Sequence, residues 1–284
     1  MRYFCPVAYT LLVWWVSTGL IMYLDGLPRR TFRWSLLGAT ALLGGALWFL
    51  RASAADTSTA GAYISFTAGV LAWGWLEVGF LMGPLTGPWK RPCPPDCRGW
   101  RRVGLAIRAI LYHELAIIAL AGIVAALTWD ADNRVGMWTF TVLWVMRLSA
   151  KLNVFLGVRN LGESFLPAHL SYLSSFFRRR PMNLLFPLCV TAATVATALL
   201  VQRAGADGVS EFEAAGITFV ATMLALAVLE HWLLVIPLPE TALWQWSLTS
   251  HAEPAKAPAL PATASLATAP PGRAINMPAQ GRWR

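Results

Sequence analysis

The stretch GLAIRAILYHELAIIALAGIVAALTW, from Gly104 to Trp129, reads as a helix that crosses a bilayer while carrying Arg108, His113 and Glu114 within it. A hydrocarbon core of about 30 Å takes about 20 helical residues, and this run exceeds that length. A charge at the centre of such a span costs about 2.5 to 3.5 kcal/mol on insertion scales, so ionisable groups there face protein or a wet cavity rather than lipid. One segment thus indicates both an all-α membrane protein and a polar interior.

Outward from it lie six more apolar runs: Phe4 to Tyr23, Phe32 to Leu50, Ala60 to Met82, Val135 to Leu156, Leu184 to Gln202 and Ala214 to Leu238. Composition agrees, since 57% hydrophobic and 13% charged residues fall outside the soluble range and the 15 Trp suit interfacial belts. The first run is rich in Trp14 and Trp15 and lacks a small-residue cleavage pattern before Asp25, so it reads as a retained helix rather than a signal peptide. The expected architecture is a seven-transmembrane-helix bundle over residues 1–247. A disordered Ala/Pro-rich cytoplasmic tail is expected over 248–284, where little could form a core. His251 lies in that tail and is discounted as a ligand.

Lys and Arg in short loops set the orientation. Arg29, Arg30 and Arg33 follow the first span, Lys90, Arg91, Arg98, Arg101 and Arg102 the third, and Arg159 with Arg178, Arg179 and Arg180 the fifth. The alternate loops carry single bases, Arg51, Arg134 and Arg203, against Asp56, Asp130, Asp132, Asp207, Glu211 and Glu213. The alternation predicts a periplasmic N-terminus and a cytoplasmic C-terminus. The net charge of +9 sits beside membrane spans without a nucleic-acid fold motif, so the implied partner is anionic lipid and not nucleic acid. Cys93 and Cys97 fall in a loop predicted to be cytoplasmic, and Cys5 and Cys189 in or beside spans, so reduced thiols are expected. With no second pair, Cys93 and Cys97 make no zinc site.

Ionisable groups recur inside the other spans: Glu77 in the third, Arg147 and Lys151 in the fifth, Glu230 and His231 in the seventh. With the fourth span's residues they fall at overlapping depths in the cytoplasmic half. Arg147 and Lys151 lie four apart on one helical face, where like charges repel unless an anion stands opposite, and Glu77, Glu114 and Glu230 are available for that. Three readings stay open. The groups form a structural charge cluster; or they bind the polar head of an amphiphile; or His113, Glu114, Glu230 and His231, with Glu163 and His169 from the fifth loop, act as acid and base or hold a transition metal. The spacing argues against metal, because adjacent His and Glu point about 100° apart on a helix and no His-Glu-x-x-His is present. No Walker loop, dinucleotide fingerprint, nucleophile elbow or aspartate-rich prenyltransferase motif occurs.

The fifth loop exceeds what a connector needs. Leu166, Leu170, Leu173 and Phe177 recur at helical spacing, predicting an interfacial helix over about 166–178 with Pro167 in its first turn and Arg178 to Arg180 at its C-terminal end. Ala41 and Gly45 on the second span permit close helix packing, within the chain or with a partner.

The string Lys151-Leu152-Asn153-Val154-Phe155-Leu156-Gly157-Val158-Arg159-Asn160 is followed by Glu163, Phe165-Leu166-Pro167, His169-Leu170 and Arg180-Pro181-Met182-Asn183. Together these resemble the central signature of the PuhE family, photosynthetic complex assembly proteins of purple phototrophic bacteria. Tyr112-His113-Glu114-Leu115, Leu229-Glu230-His231-Trp232 and Pro237-Leu238-Pro239 match the same family. The resemblance implies a protein of the bacterial inner membrane or intracytoplasmic photosynthetic membrane. Its expected partners are reaction-centre or light-harvesting subunits or other assembly factors, and the expected ligand is bacteriochlorophyll or a precursor. An enzyme of bacteriochlorophyll metabolism is the alternative. No catalytic residue is carried over. In that context His113 and His231 are candidate axial ligands for a pigment magnesium, and Asn153, Arg159, Glu163 and His169 join the candidate lining of the polar cavity.

Overall fold

The structure, a computed structural model, describes residues 1–237, 245–248 and 250. Their long helices are α1 Phe4–Asp25, α2 Phe32–Ala52, α3 Thr59–Leu81, α4 Gly99–Thr128, α5 Val135–Leu156, α6 Leu185–Ala204 and α7 Glu211–Leu233, with a short α8 at Gln245–Leu248. All seven are long and apolar enough to cross a membrane. Helices suit that role because each satisfies its own backbone, which lipid cannot do. The chain therefore has the build of a multi-pass membrane protein, with no sheet among the described residues beyond one parallel bridge, Val158 to Arg179. The tail expected from 248 onward and Leu238 at the expected end of the seventh span lie outside the described residues, Leu248 and Ser250 apart.

Helix starts follow the local sequence. The Ser58 hydroxyl accepts the Gly61 amide ahead of α3, and Ser210 with Glu213 forms a reciprocal capping box ahead of α7. The expected spans differ from the helices mainly at two ends. α4 begins at Gly99 rather than Gly104 because the Arg102 side chain folds inward. It is 7% exposed, donates to the carbonyls of Phe155 and Phe176, and lies 3.9 Å from the Phe155 ring. α7 stops at Leu233 because Asn160 caps it, its side-chain amide donating to the carbonyls of Leu233 and Ile236 at 2.6 Å each.

α3 is the hub, packing against α2, α5, α7, α1 and α4. One core cluster joins Leu50, Leu76, Ile117 and Phe140 from α2 to α5. Another stacks Phe66 on Phe219 at 4.4 Å between α3 and α7, with Tyr9 and Tyr63 edge-on. α3 and α5 touch backbone to backbone: a Cβ on Gly69 would lie 2.6 Å from the Gly136 carbonyl, and one on Gly136 would lie 2.5 Å from that of Ser65. The small-residue crossing within the chain is therefore here and not at Gly45, where an added Cβ meets nothing, or at the exposed Ala41. The outward faces of α1, α2 and α6 expose Leu12, Leu37, Leu42, Leu188 and Leu199, which suits lipid.

The arginine-rich loops gather at one end of the bundle. Phe32 meets His169, and the Cys93 amide donates to the Ser175 hydroxyl at 2.8 Å. The acidic loops gather at the other, where Asn133 donates to the carbonyls of Asp56 and Gly61 and Arg2 pairs with Glu211 at 3.3 Å. Two expectations are corrected at the arginine-rich end. Cys93 and Cys97 form a disulfide, because the turn through Pro94 and Pro95 brings their Cα atoms to 5.9 Å, inside the usual bonding range. The helix expected over 166–178 is a 3-10 helix, Ala168–Phe176, whose period of three buries Leu170, Leu173 and Phe176 rather than Phe177. Pro167 precedes it as the N-cap residue, and the arginines after it run extended, Arg178 and Arg180 pairing through their backbones with Val158.

Candidate functional site

α3, α4, α5 and α7 bring the intramembrane acids and bases together near the arginine-rich end. Arg147 and Lys151 project one turn apart from α5, and each meets a carboxylate from a different helix. Arg147 Nη2 donates to Glu77 Oε2 at 3.0 Å, and Lys151 Nζ to Glu114 Oε1 at 2.5 Å. The Glu77 side chain is 13% exposed but that of Arg147 is 41%, so the cluster is closed on the α3 side and open on the α5 side.

His113 is 1% exposed and packs against the Phe80 ring at 4.6 Å. Its amide donates to the Thr86 carbonyl at 3.2 Å, so the loop after α3 is pressed into the flank of α4. Three buried polar atoms have no hydrogen-bond partner in this region: His113 Nδ1, Glu77 Oε1 and Arg147 Nε. All three groups lie within electrostatic reach of one another.

Glu230 lies at the flank of the bundle. Trp14 Nε1 donates to its Oε1 at 2.8 Å, the residue is exposed, and the charges of Arg147 and Glu77 act on it. The neighbouring His231 behaves differently. It is 2% exposed; Nδ1 lies 2.8 Å from the Ala227 carbonyl and Nε2 2.8 Å from the Ser149 hydroxyl. A carbonyl only accepts, so Nδ1 carries the proton and the Nε2 lone pair of the neutral ring takes the Ser149 hydroxyl. His231 thus ties α7 to α5.

The remaining candidates divide. Asn153 is buried and structural: it donates to the Ser149 carbonyl and accepts from Asn183, whose own oxygen takes the Leu185 and Phe186 amides that open α6. Arg159 is exposed, and Glu163 pairs with Arg179 on the surface. Arg108 stands outside the cluster, its guanidinium 5.8 Å from the Trp89 ring. His169 lines a separate cavity, with the Thr86 segment between it and His113. Reasoning from sequence did not single out Ser149, the inward role of Arg102, or Trp14 as a partner of Glu230. Asn153 and Ser149 sit four apart on α5, the one available sign that this face is polar throughout.

Neither buried His suits a pigment magnesium. An axial ligand needs a lone pair facing open space for a macrocycle, but both His231 nitrogens are engaged and His113 is enclosed behind Phe80. Among the described residues no group of three or more His, Cys, Asp or Glu is placed to hold a metal.

A family described as "Protein of unknown function (DUF3623)" matches residues 1–255. The chain belongs to it. The DUF3623 match covers every helix of the bundle and stops within the Ala/Pro-rich segment. A curated relative, described as an uncharacterized 30.4 kDa protein in the puhA 5' region of Rhodobacter capsulatus, is 40% identical over 256 residues, 89% of this chain and 93% of that protein. No solved structure matches this DUF3623 chain.

Proposed function

We propose that the protein is a membrane factor for assembly of the photosynthetic reaction centre and its light-harvesting complexes, of the PuhE type, oriented with the arginine-rich end and the C-terminus in the cytoplasm. The relative's place beside puhA supports the photosynthetic context, and the sidedness of the loop charges supports the orientation. The observation that carries the reading is the pair Glu230 and Arg147. Both are ionisable, both lie in membrane spans, and both are accessible at the flank of the bundle rather than sealed inside it. Each already has one partner, Glu77 for Arg147 and Trp14 for Glu230, but the edge of each group left open to hydrocarbon calls for a further polar complement. A nascent subunit's helix, or the polar edge of a bacteriochlorophyll precursor, supplies one from the side, with Trp14 and exposed apolar residues such as Leu229 around it.

The test is the pigment profile, by chromatography with absorbance detection, of cells lacking the chain beside their parent under phototrophic conditions. Mature pigment with few intact reaction centres is the expected outcome, reproduced by the variant Glu230→Gln with Arg147→Gln. A defined biosynthetic intermediate accumulating instead overturns the assembly reading in favour of an enzyme. The unpartnered Glu77 Oε1 and His113 Nδ1 then become the first groups to substitute, since a buried acid and imidazole within reach of each other are the parts of a proton-transfer site.

A further inference from the structure

At the arginine-rich end, apart from the intramembrane cluster, a cavity of about 410 Å³ lies between the loop before α2, the loop after α3 and the 3-10 helix. Two cations, Arg29 and Lys90, are exposed on it, and none of its lining residues is acidic. Three polar side chains complete the wall. Thr86 is fully buried and spends its hydroxyl proton on the Gly83 carbonyl at 3.0 Å. The Tyr172 hydroxyl is buried and, although Thr86 influences it, lacks hydrogen-bond geometry to any partner. His169 Nε2 is likewise buried without a partner. Its ring is held from two sides, by an interaction with the Leu81 carbonyl and by Phe32 at 5.9 Å. Gly83, at φ +98, brings its backbone against that ring, and a Cβ there would sit 3.5 Å from His169 Cδ2.

A surface bearing lysine and arginine needs no ligand to explain it. Here, however, both cations act on the same imidazole, and two buried polar atoms on one wall, the Tyr172 hydroxyl and His169 Nε2, have no partner. A buried polar group left unpaired is costly, because it has given up water and gained nothing in return. Like-charged side chains converging without an acid between them add to that, and a tetrahedral oxyanion resolves both costs at once. Its charge meets Arg29 and Lys90, and its oxygens accept from the Tyr172 hydroxyl and, once the bound charge draws a second proton onto the imidazole, from His169 Nε2. We propose that this cavity is a binding site for a phosphate-type anion, carried either by the headgroup of an anionic membrane lipid or by a free phosphate or phosphate ester.

The site is independent of any photosynthetic role, so its test is separate from the pigment profile. The full chain, in nanodiscs of phosphatidylcholine, is titrated calorimetrically with inorganic phosphate. In a second arm, native mass spectrometry of the chain in mixed micelles reads retained phosphatidylglycerol over phosphatidylcholine. Saturable phosphate binding identifies a free anion and selective phosphatidylglycerol retention identifies the headgroup; either supports the site. Replacing both cations, Arg29→Gln with Lys90→Gln, is expected to weaken the positive arm by about tenfold or more, on the scale of charge-assisted hydrogen bonds. Arg33→Gln, which removes an exposed base stacked on Trp34 outside the cavity, leaves it unchanged. Tyr172→Phe, which deletes one hydroxyl, is expected to cost about threefold to tenfold and serves if the double variant does not fold. No saturable binding in either arm overturns the proposal, as does binding lost equally in Arg33→Gln or kept in both cavity variants.

Discussion

Lys151 and Glu114 illustrate what a single residue contributes inside this bundle. Their side chains are 20% and 24% exposed, and each is the other's ion-pair partner. Removing one partner leaves the other charge largely desolvated. Lys151→Met is therefore expected to destabilise the protein by about 2 to 4 kcal/mol, below the 3 to 5 of a fully buried pair. Lys151→Met combined with Glu114→Leu is expected to cost less than the sum of the two single changes, as read from thermal unfolding in detergent. A cost for the double variant equal to that sum would show the two groups to be uncoupled. His169 offers a proton to follow. Burial first, then the charges of Arg29 and Lys90, hold its pKa below the usual value, against the opposing Leu81 carbonyl. In the folded chain its imidazole resonances are expected to titrate below the ordinary value of about 6.5, and to move up when phosphate is added. Since the unfolded chain takes that proton first, stability falls as pH drops below about 6.5 towards the folded pKa. The candidate charges themselves were legible in the sequence, because an ionisable residue within an apolar run is conspicuous. Carboxylates opposite Arg147 and Lys151 were legible too, as a set of three from which Glu77 and Glu114 are the partners; the interaction of Glu230 with Trp14 or of His231 with Ser149 was not, since it depends on which helices are neighbours, and hydropathy is blind to that.

Between elements, the closest contact is the crossing of α3 and α5, where no side chain separates the backbones. Gly136→Ala places a methyl 2.4 Å from Leu50 Cδ2 and 2.5 Å from the Ser65 carbonyl. It is expected to destabilise by about 1 to 3 kcal/mol through overpacking. Gly45→Ala meets open space on α2 and is expected to be neutral or to gain a few tenths of a kcal/mol from helix propensity. Thermal unfolding of the two alanine variants checks the contrast; equal effects would place the tight crossing elsewhere. Arg102→Ala uncouples the start of α4 from the end of α5 and from the 3-10 helix, leaving the Phe155 and Phe176 carbonyls without their donor. A loss of about 2 to 4 kcal/mol is expected, together with faster amide exchange in residues 168–176. All seven long helices could be read from apolar length alone, Val135–Leu156 to the residue. The ends that moved furthest are those where a single polar side chain, Arg102 or Asn160, folds back onto carbonyls of another segment. The 3-10 helix was missed because Leu166, Leu170, Leu173 and Phe177 fit a period of 3.6, and only packing against Phe80 and Ala109 selects the tighter winding.

For the whole molecule, charge segregation and disulfide chemistry make a joint demand. The structure joins Cys93 to Cys97; if the arginine-rich end faces the cytoplasm, the glutathione pool opens that bond during growth and air closes it again, because the turn through Pro94 and Pro95 keeps the thiols within reach. A membrane-permeant maleimide added to intact cells is therefore expected to label both thiols, and the same reagent added after aerobic lysis to label neither. Protection in living cells would place that end in an oxidising compartment and reverse the orientation. The segment next to this turn carries a larger consequence. Thr86 has its side chain in the wall of the surface cavity, while its carbonyl receives the amide of His113 among the intramembrane charges. Next to it, Gly87 is seated so closely on α4 that a Cβ would lie 2.1 Å from the Arg108 carbonyl. Thr86 is thus a wall shared by cavity and cluster, and a substitution there is expected to be felt on the aqueous side and among the intramembrane charges alike.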